Sequence, residues 1–155
     1  MTMKKNTTLA RKQLDATLKT FRPSLNVAIP PKGWIRAIKD VIGMNGRQLA
    51  GRLGVSRQRS NQIENEECDG SLTLKTMRRV AESLECVFVY GIIPQTSLEN
   101  IVRNRAEKVA VKRLAWADHT MSLEGQALDP EENRKVLIDM IEELVKNFPA
   151  NLWDD

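Results

Sequence analysis

Residues 45–65 read NGRQLAGRLGVSRQRSNQIEN, and the punctuation of this stretch decides the fold. Asn45 is an N-cap residue for a helix running to about Leu53, in which Leu49, Ala50 and Leu53 share the inward face. Gly54 supplies the left-handed residue that ends this helix. Ser56 then caps a second helix, whose Ile63 points into the core. Two helices joined by so short a turn need a small residue near their contact, and Ala50 and Gly54 stand where a helix-turn-helix requires them. The outward face at the start of the second helix is left with Arg57, Gln58, Asn61 and Gln62.

Those four side chains carry planar groups with several donors each. A guanidinium can give two hydrogen bonds to a guanine edge, and an Asn or Gln amide can pair with adenine in a major groove wide enough for a helix. The spacing therefore predicts a base-reading face of Arg57, Gln58, Asn61 and Gln62. Asn45, Arg47, Arg52, Ser56 and Arg59, with the backbone amides at the helix starts, are expected to hold phosphates and set register. A solvated polar helix face is the competing reading of Arg and Gln alone, and the spacing of the whole motif argues against it. Glu64 is expected to pair locally with an arginine of the same domain.

At these positions the chain resembles the Cro/C1-type, lambda-repressor-like helix-turn-helix of the xenobiotic-response-element family. Asn45, Leu49, Ala50, Leu53, Gly54, Val55, Ser56, Ile63, Glu64 and Asn65 carry the likeness, and SLTLKTMRRVAESLECVFVYGIIP (71–94) is similar to that family's continuation. The resemblance implies a mainly α fold with a helix from about Leu72 to Leu84 and a short β-strand after it. There are two departures. Gly46 stands where the family often has a glutamine that supports the reading helix, and Ser60 stands where it usually has an apolar residue. A core hydroxyl left unpaired costs roughly 1 to 3 kcal/mol, so either Ser60 bonds a carbonyl one turn earlier or the domain is less stable than its relatives.

Outward from the motif, residues 4–21 place Leu9, Leu14, Leu18 and Phe21 at helical spacing among Lys and Arg, which predicts a basic amphipathic helix. The run RPSLNVAIPPKG (22–33), with three prolines and a glycine, forbids a continuous helix. A short helix over 33–42 follows. CVFVYGIIP (86–94) is β-branched and aromatic, so a strand is expected there. A lone strand is not stable, so it must pair with LNVAI (25–29), with its own copy in a second chain, or both. A homodimer through strand 86–93 is favoured, because one module reads only three to five base pairs and two-fold symmetry suits a palindromic operator. Beyond it, Thr96 with Glu99 reads as a capping box for a helix to about Met121, with Leu98, Ile101, Val102, Val109 and Trp116 on its apolar side. Asp129-Pro130 opens a last helix with a stripe of Leu137, Met140, Ile141, Leu144 and Phe148. These two helices predict a C-terminal helical hairpin. The segments imply a basic N-terminal helix and Pro-rich connector (1–32), a DNA-binding domain (33–94) and a partner-binding region (95–155).

Charge is segregated along the 155 residues: positions 1–39 hold nine Lys/Arg against one Asp, whereas 118–155 hold three against ten Asp/Glu. A basic front suits double-stranded DNA, and an acidic rear would be repelled by it. No stretch has the length of a membrane span and the N-terminus lacks the apolar run of a secretory signal, so a cytoplasmic protein is expected, nucleoid-associated when bound to DNA. Cys68 and Cys86 read as free thiols, and with His119 they are too few for a metal site. Neither a nucleophile with a base at useful spacing nor a glycine-rich phosphate loop is present, so no enzyme and no cofactor is expected.

Taken whole, the chain resembles the family called mobile mystery protein A, in TLARKQLDATLKTF (8–21), IPPKGWIRAI (29–38), the helix-turn-helix, LKTMRRVAE (74–82), VFVYG (87–91) and the final LW (152–153). Members of that family typically sit beside a Fic-domain protein, mobile mystery protein B. The resemblance implies an antitoxin that represses its own operon and restrains AMP transfer by its partner. Many Fic proteins are silenced by a helix with the pattern Ser/Thr-x-x-x-Glu-Gly/Asn, and Thr120, Glu124 and Gly125 match it. Such a glutamate competes with a phosphate for one arginine fork. A protein-interaction adaptor or chaperone that has lost DNA affinity is the alternative in a different class.

Overall fold

The computed structural model describes residues 2–123 and 129–154. Among them the chain is mainly α: α1 (Thr2–Lys19), a short 3-10 helix (Arg22–Asn26), α2 (Trp34–Val41), α3 (Gly46–Leu53), α4 (Arg57–Asp69), α5 (Leu74–Ser83), α6 (Leu98–Leu123) and α7 (Pro130–Asn147). The chain divides into two units, one of residues 23–91 and one of residues 1–22 with 92–155. The basic N-terminal helix thus shares a unit with the C-terminal pair. No helix among the described residues is long and apolar enough to cross a membrane.

The 23–91 unit is built around Ile35, Leu49, Leu53, Ile63, Val80 and Leu84, all buried. Each such side chain contributes about 1.5–3 kcal/mol on leaving water. Local signals set where the helices begin and end. Asn45 and Gln48 form a reciprocal capping box at the start of α3. Gly54 ends α3 in the left-handed region, φ 67°, and the Val55 N–H donates to Ala50 O at 3.0 Å, the six-to-one bond of a Schellman motif. Ser56 Oγ accepts from Arg59 N at 3.1 Å and starts α4. Thr73 does the same for α5.

α2 follows a different rule. Its N-cap, Gly33, has no side chain to offer and sits at φ 81°. The Glu67 carboxylate of α4 supplies the cap, accepting from Trp34 N at 2.8 Å and Ile35 N at 3.0 Å. A Cβ at position 33 would lie 2.5 Å from Glu67 Oε2, so the glycine also makes room for the carboxylate. One turn back on α4, Glu64 accepts from Lys39 Nζ of α2 at 2.6 Å, both side chains being buried. The local partner of Glu64 is therefore a lysine rather than the expected arginine.

Strand 86–93 does not form, and the fold is corrected on this point. Two of the five residues of its in-chain partner are lost, because Leu25 and Asn26 belong to the 3-10 helix, and among the described residues no backbone ladder bond involves 87–93. The run has no regular secondary structure; its Cys86 and Phe88 are half-buried while Val87 and Val89 are 87% and 73% exposed.

In the other unit α6 and α7 pack along each other, with Val102, Ala106 and Ala110 of α6 in one core with Leu144 and Leu152. Two alanines in that stripe allow close approach of the helices. Arg103 of α6 reaches Glu142, near the end of α7, so the pair runs antiparallel. α1 docks on α6 through polar groups: Asp15 accepts from Leu98 N at 2.7 Å and Glu99 N at 3.2 Å, and the buried Arg11 gives Nη1 to Glu99 at 2.9 Å and lies 5.3 Å from the centre of the Phe148 ring. The expected Thr96–Glu99 capping box is replaced: Ser97 Oγ accepts from Asn100 N, while Glu99 is committed to Arg11. Trp116 lies off the apolar stripe, 75% exposed. At about 100° per residue it sits a third of a turn away from Ala110.

Candidate nucleic-acid interface

α4 has two faces with different chemistry. Positions 60, 63, 64 and 67 fall at helical spacing on one side and meet the core or α2. Positions 57, 58, 61 and 62 fall on the other, and Arg57, Gln58, Asn61 and Gln62 are all exposed. The structure therefore brings the four predicted base-reading residues together within the first two turns of one helix. The inner face holds a single large apolar residue, Ile63, so charged contacts complete the docking of α4. Ser60 is fully buried, and its hydroxyl has no partner among the described residues.

The five predicted phosphate contacts are placed less uniformly. Asn45 Oδ1 accepts from Gln48 N and Ser56 Oγ accepts from Arg59 N, so both side chains are engaged as caps. Arg52 donates to Ser83 O at 3.0 Å and to Glu85 Oε1 at 3.2 Å. Arg59 forms a bidentate pair with Glu66, 2.6 and 3.1 Å, two turns along the same helix. That pairing raises the Arg59 pKa above its usual value, chiefly through the hydrogen bonds to Glu66, and the guanidinium stays protonated. Arg47 is exposed and makes no ion pair among the described residues.

Gly46, the first residue of α3, faces Asn61: a Cβ there would lie 3.4 Å from Asn61 Oδ1. That is an ordinary van der Waals distance, so a Cβ fits at position 46 without displacing the amide. Glu66 and Glu67 were not singled out in the sequence, although a carboxylate seven residues after Arg59 and one after Glu64 on the inward face are signals that helical spacing could have revealed. The Thr120 hydroxyl of α6 donates to Trp116 O at 3.0 Å. Glu124 and Gly125 lie outside the described residues. Cys68 and Cys86 are free thiols, and among the described residues no group of His, Cys, Asp and Glu could hold a metal ion.

No family model, no curated protein and no solved structure matches this chain.

Proposed function

We propose that the protein is a sequence-specific DNA-binding regulator of the Cro/C1-type helix-turn-helix kind, with α4 as the helix that enters the major groove. The observation that carries this reading is the exposed row Arg57, Gln58, Asn61 and Gln62 on a helix whose opposite side is anchored by Ile63, Glu64 and Glu67. Four donor-rich side chains on one rigid face suit base edges, and the open amides of a helix start suit a phosphate. Arg47 is the readiest backbone contact. Arg52 and Arg59 would each exchange a carboxylate for a phosphate, a trade of similar bonds. Two copies on a palindromic operator complete the site, and the apolar run Val87, Val89 and Tyr90, exposed in one chain, is the surface a second copy would cover.

By its resemblance to mobile mystery protein A, the regulator is the antitoxin of a Fic-domain protein and represses its own operon, with residues 95–155 engaging the partner.

Binding-site selection with a randomised duplex tests the DNA reading. Arg57→Ala and Gln58→Ala should each relax preference at one base pair by about 1–3 kcal/mol while affinity for unrelated DNA stays near wild type. If both variants kept the wild-type site preference, α4 would not be the reading helix.

A further inference from the structure

We propose that the basic side of α6 is a second, sequence-independent docking surface for the backbone of duplex DNA, a choice of polyanion that rests on the DNA-binding reading of α4. A concavity of about 390 Å³ in the 1–22 and 92–155 unit is lined by Arg105, Lys108, Lys112 and Arg113 of α6 together with Asn151 and Asp154. Lys108, Lys112 and Arg113 are exposed, and none of them makes an ion pair among the described residues. Three arginines of this unit are engaged elsewhere: Arg103 pairs with Glu142, Arg11 with Glu99, and Arg22 donates to the carbonyls of Pro94, Gln95 and Thr96. The floor of the concavity is held in place, since Arg105 Nε donates to Leu152 O at 2.6 Å and its guanidinium lies 5.9 Å from the centre of the Trp153 ring.

Lys108, Lys112 and Arg113 put three positive charges within less than two turns, against Asp154 in the same lining and Glu143 beside Arg113. Lys108 and Lys112 are four residues apart, where like charges repel along a helix, and an anion relieves that repulsion. The chemistry of the lining selects the anion. Protein interfaces place apolar and aromatic anchors at their centre and deplete charge there, whereas Val109 is the one hydrophobic residue in this lining. A small anion calls for converging buried donors, and these ammonium groups end long exposed chains. Interfaces with duplex DNA are polar, strongly positive and tolerant of flexible contacts to phosphate.

The experiment measures the full-length chain by fluorescence anisotropy on a duplex from its own upstream region and on a scrambled duplex, across a potassium chloride series. The charge-neutral triple variant Lys108→Gln, Lys112→Gln, Arg113→Gln is compared with Arg57→Ala, unfolding curves establishing that both fold. The triple variant should flatten the slope of log affinity against log salt by about two to three on both duplexes and leave the operator-to-scrambled ratio unchanged. An unchanged slope in the triple variant, with Arg57→Ala still lowering that ratio, would overturn this inference and leave the α4 reading intact. A flattened slope with no effect of Arg57→Ala on the ratio would do the reverse. Loss of binding to poly-glutamate, with the duplex slope unchanged, would assign the surface to an acidic protein and also overturn it.

Discussion

Ser60 is where a single side chain decides most. Its hydroxyl is sealed inside the 23–91 unit, and among the described residues no acceptor or donor meets it, so the open choice in the sequence, a carbonyl bond or a weaker domain, falls to the second. An orphaned buried polar atom costs about 1–3 kcal/mol. Ser60→Ala deletes it at little packing loss and should raise stability by about 1 kcal/mol, read as a rise of several degrees in the thermal midpoint. A fall in the midpoint would mean that the hydroxyl is bonded after all. Position 33 works in the opposite direction: a positive φ and the adjacent Glu67 oxygen leave glycine the one residue that fits without strain.

At the scale of the element, α4 is the helix whose sequence explains itself least. With one large apolar residue facing inward, its orientation depends on Glu67 capping α2 and on the buried Lys39–Glu64 pair. Removing one member of a buried pair strands the other charge and typically costs 3–5 kcal/mol, while replacing both with apolar residues is close to neutral. Lys39→Met should therefore destabilise strongly in urea unfolding, and Lys39→Met with Glu64→Met should recover most of the loss. Additive losses would show that the two groups are not coupled. The same ties hold the outward row of Arg57, Gln58, Asn61 and Gln62 at a fixed angle, which links a stability measurement to the reading surface.

For the whole molecule the charge gradient resolves by helix. The acidic groups of the last third include Glu131, Glu132, Asp139, Glu142 and Glu143 on α7, while the neighbouring α6 keeps a basic side. The proposed partner-binding region and the proposed DNA-facing surface would thus share one unit through different helices. The proposed restraint of a Fic partner is tested by Glu124→Gly in the complex of the two proteins. AMP transfer by the partner should rise while DNA binding by the regulator stays as it was. An unchanged transfer rate would remove the inhibitory role and leave the regulator reading untouched.

The caps and turn of the central motif were legible because they are local: Asn45, Gly54 and Ser56 act within a few residues of themselves, through backbone groups that any helix end must satisfy. The alternation in CVFVYGIIP was legible too, but a strand is a property of two segments, and the chain winds the start of its candidate partner, Leu25 and Asn26, into a 3-10 helix. The capping box at Thr96 failed for a related reason, since Glu99 had a better offer from Arg11, 88 residues away. By itself the sequence determined the helices, the caps of α3 and α4 and the row of donors on α4, consequences of local capping and of spacing within 3.6-residue turns. Only the tertiary structure decided which carboxylates cap or pair with which distant helix and which arginines are already spoken for, because opposite charges meet by proximity in space and not by order along the chain.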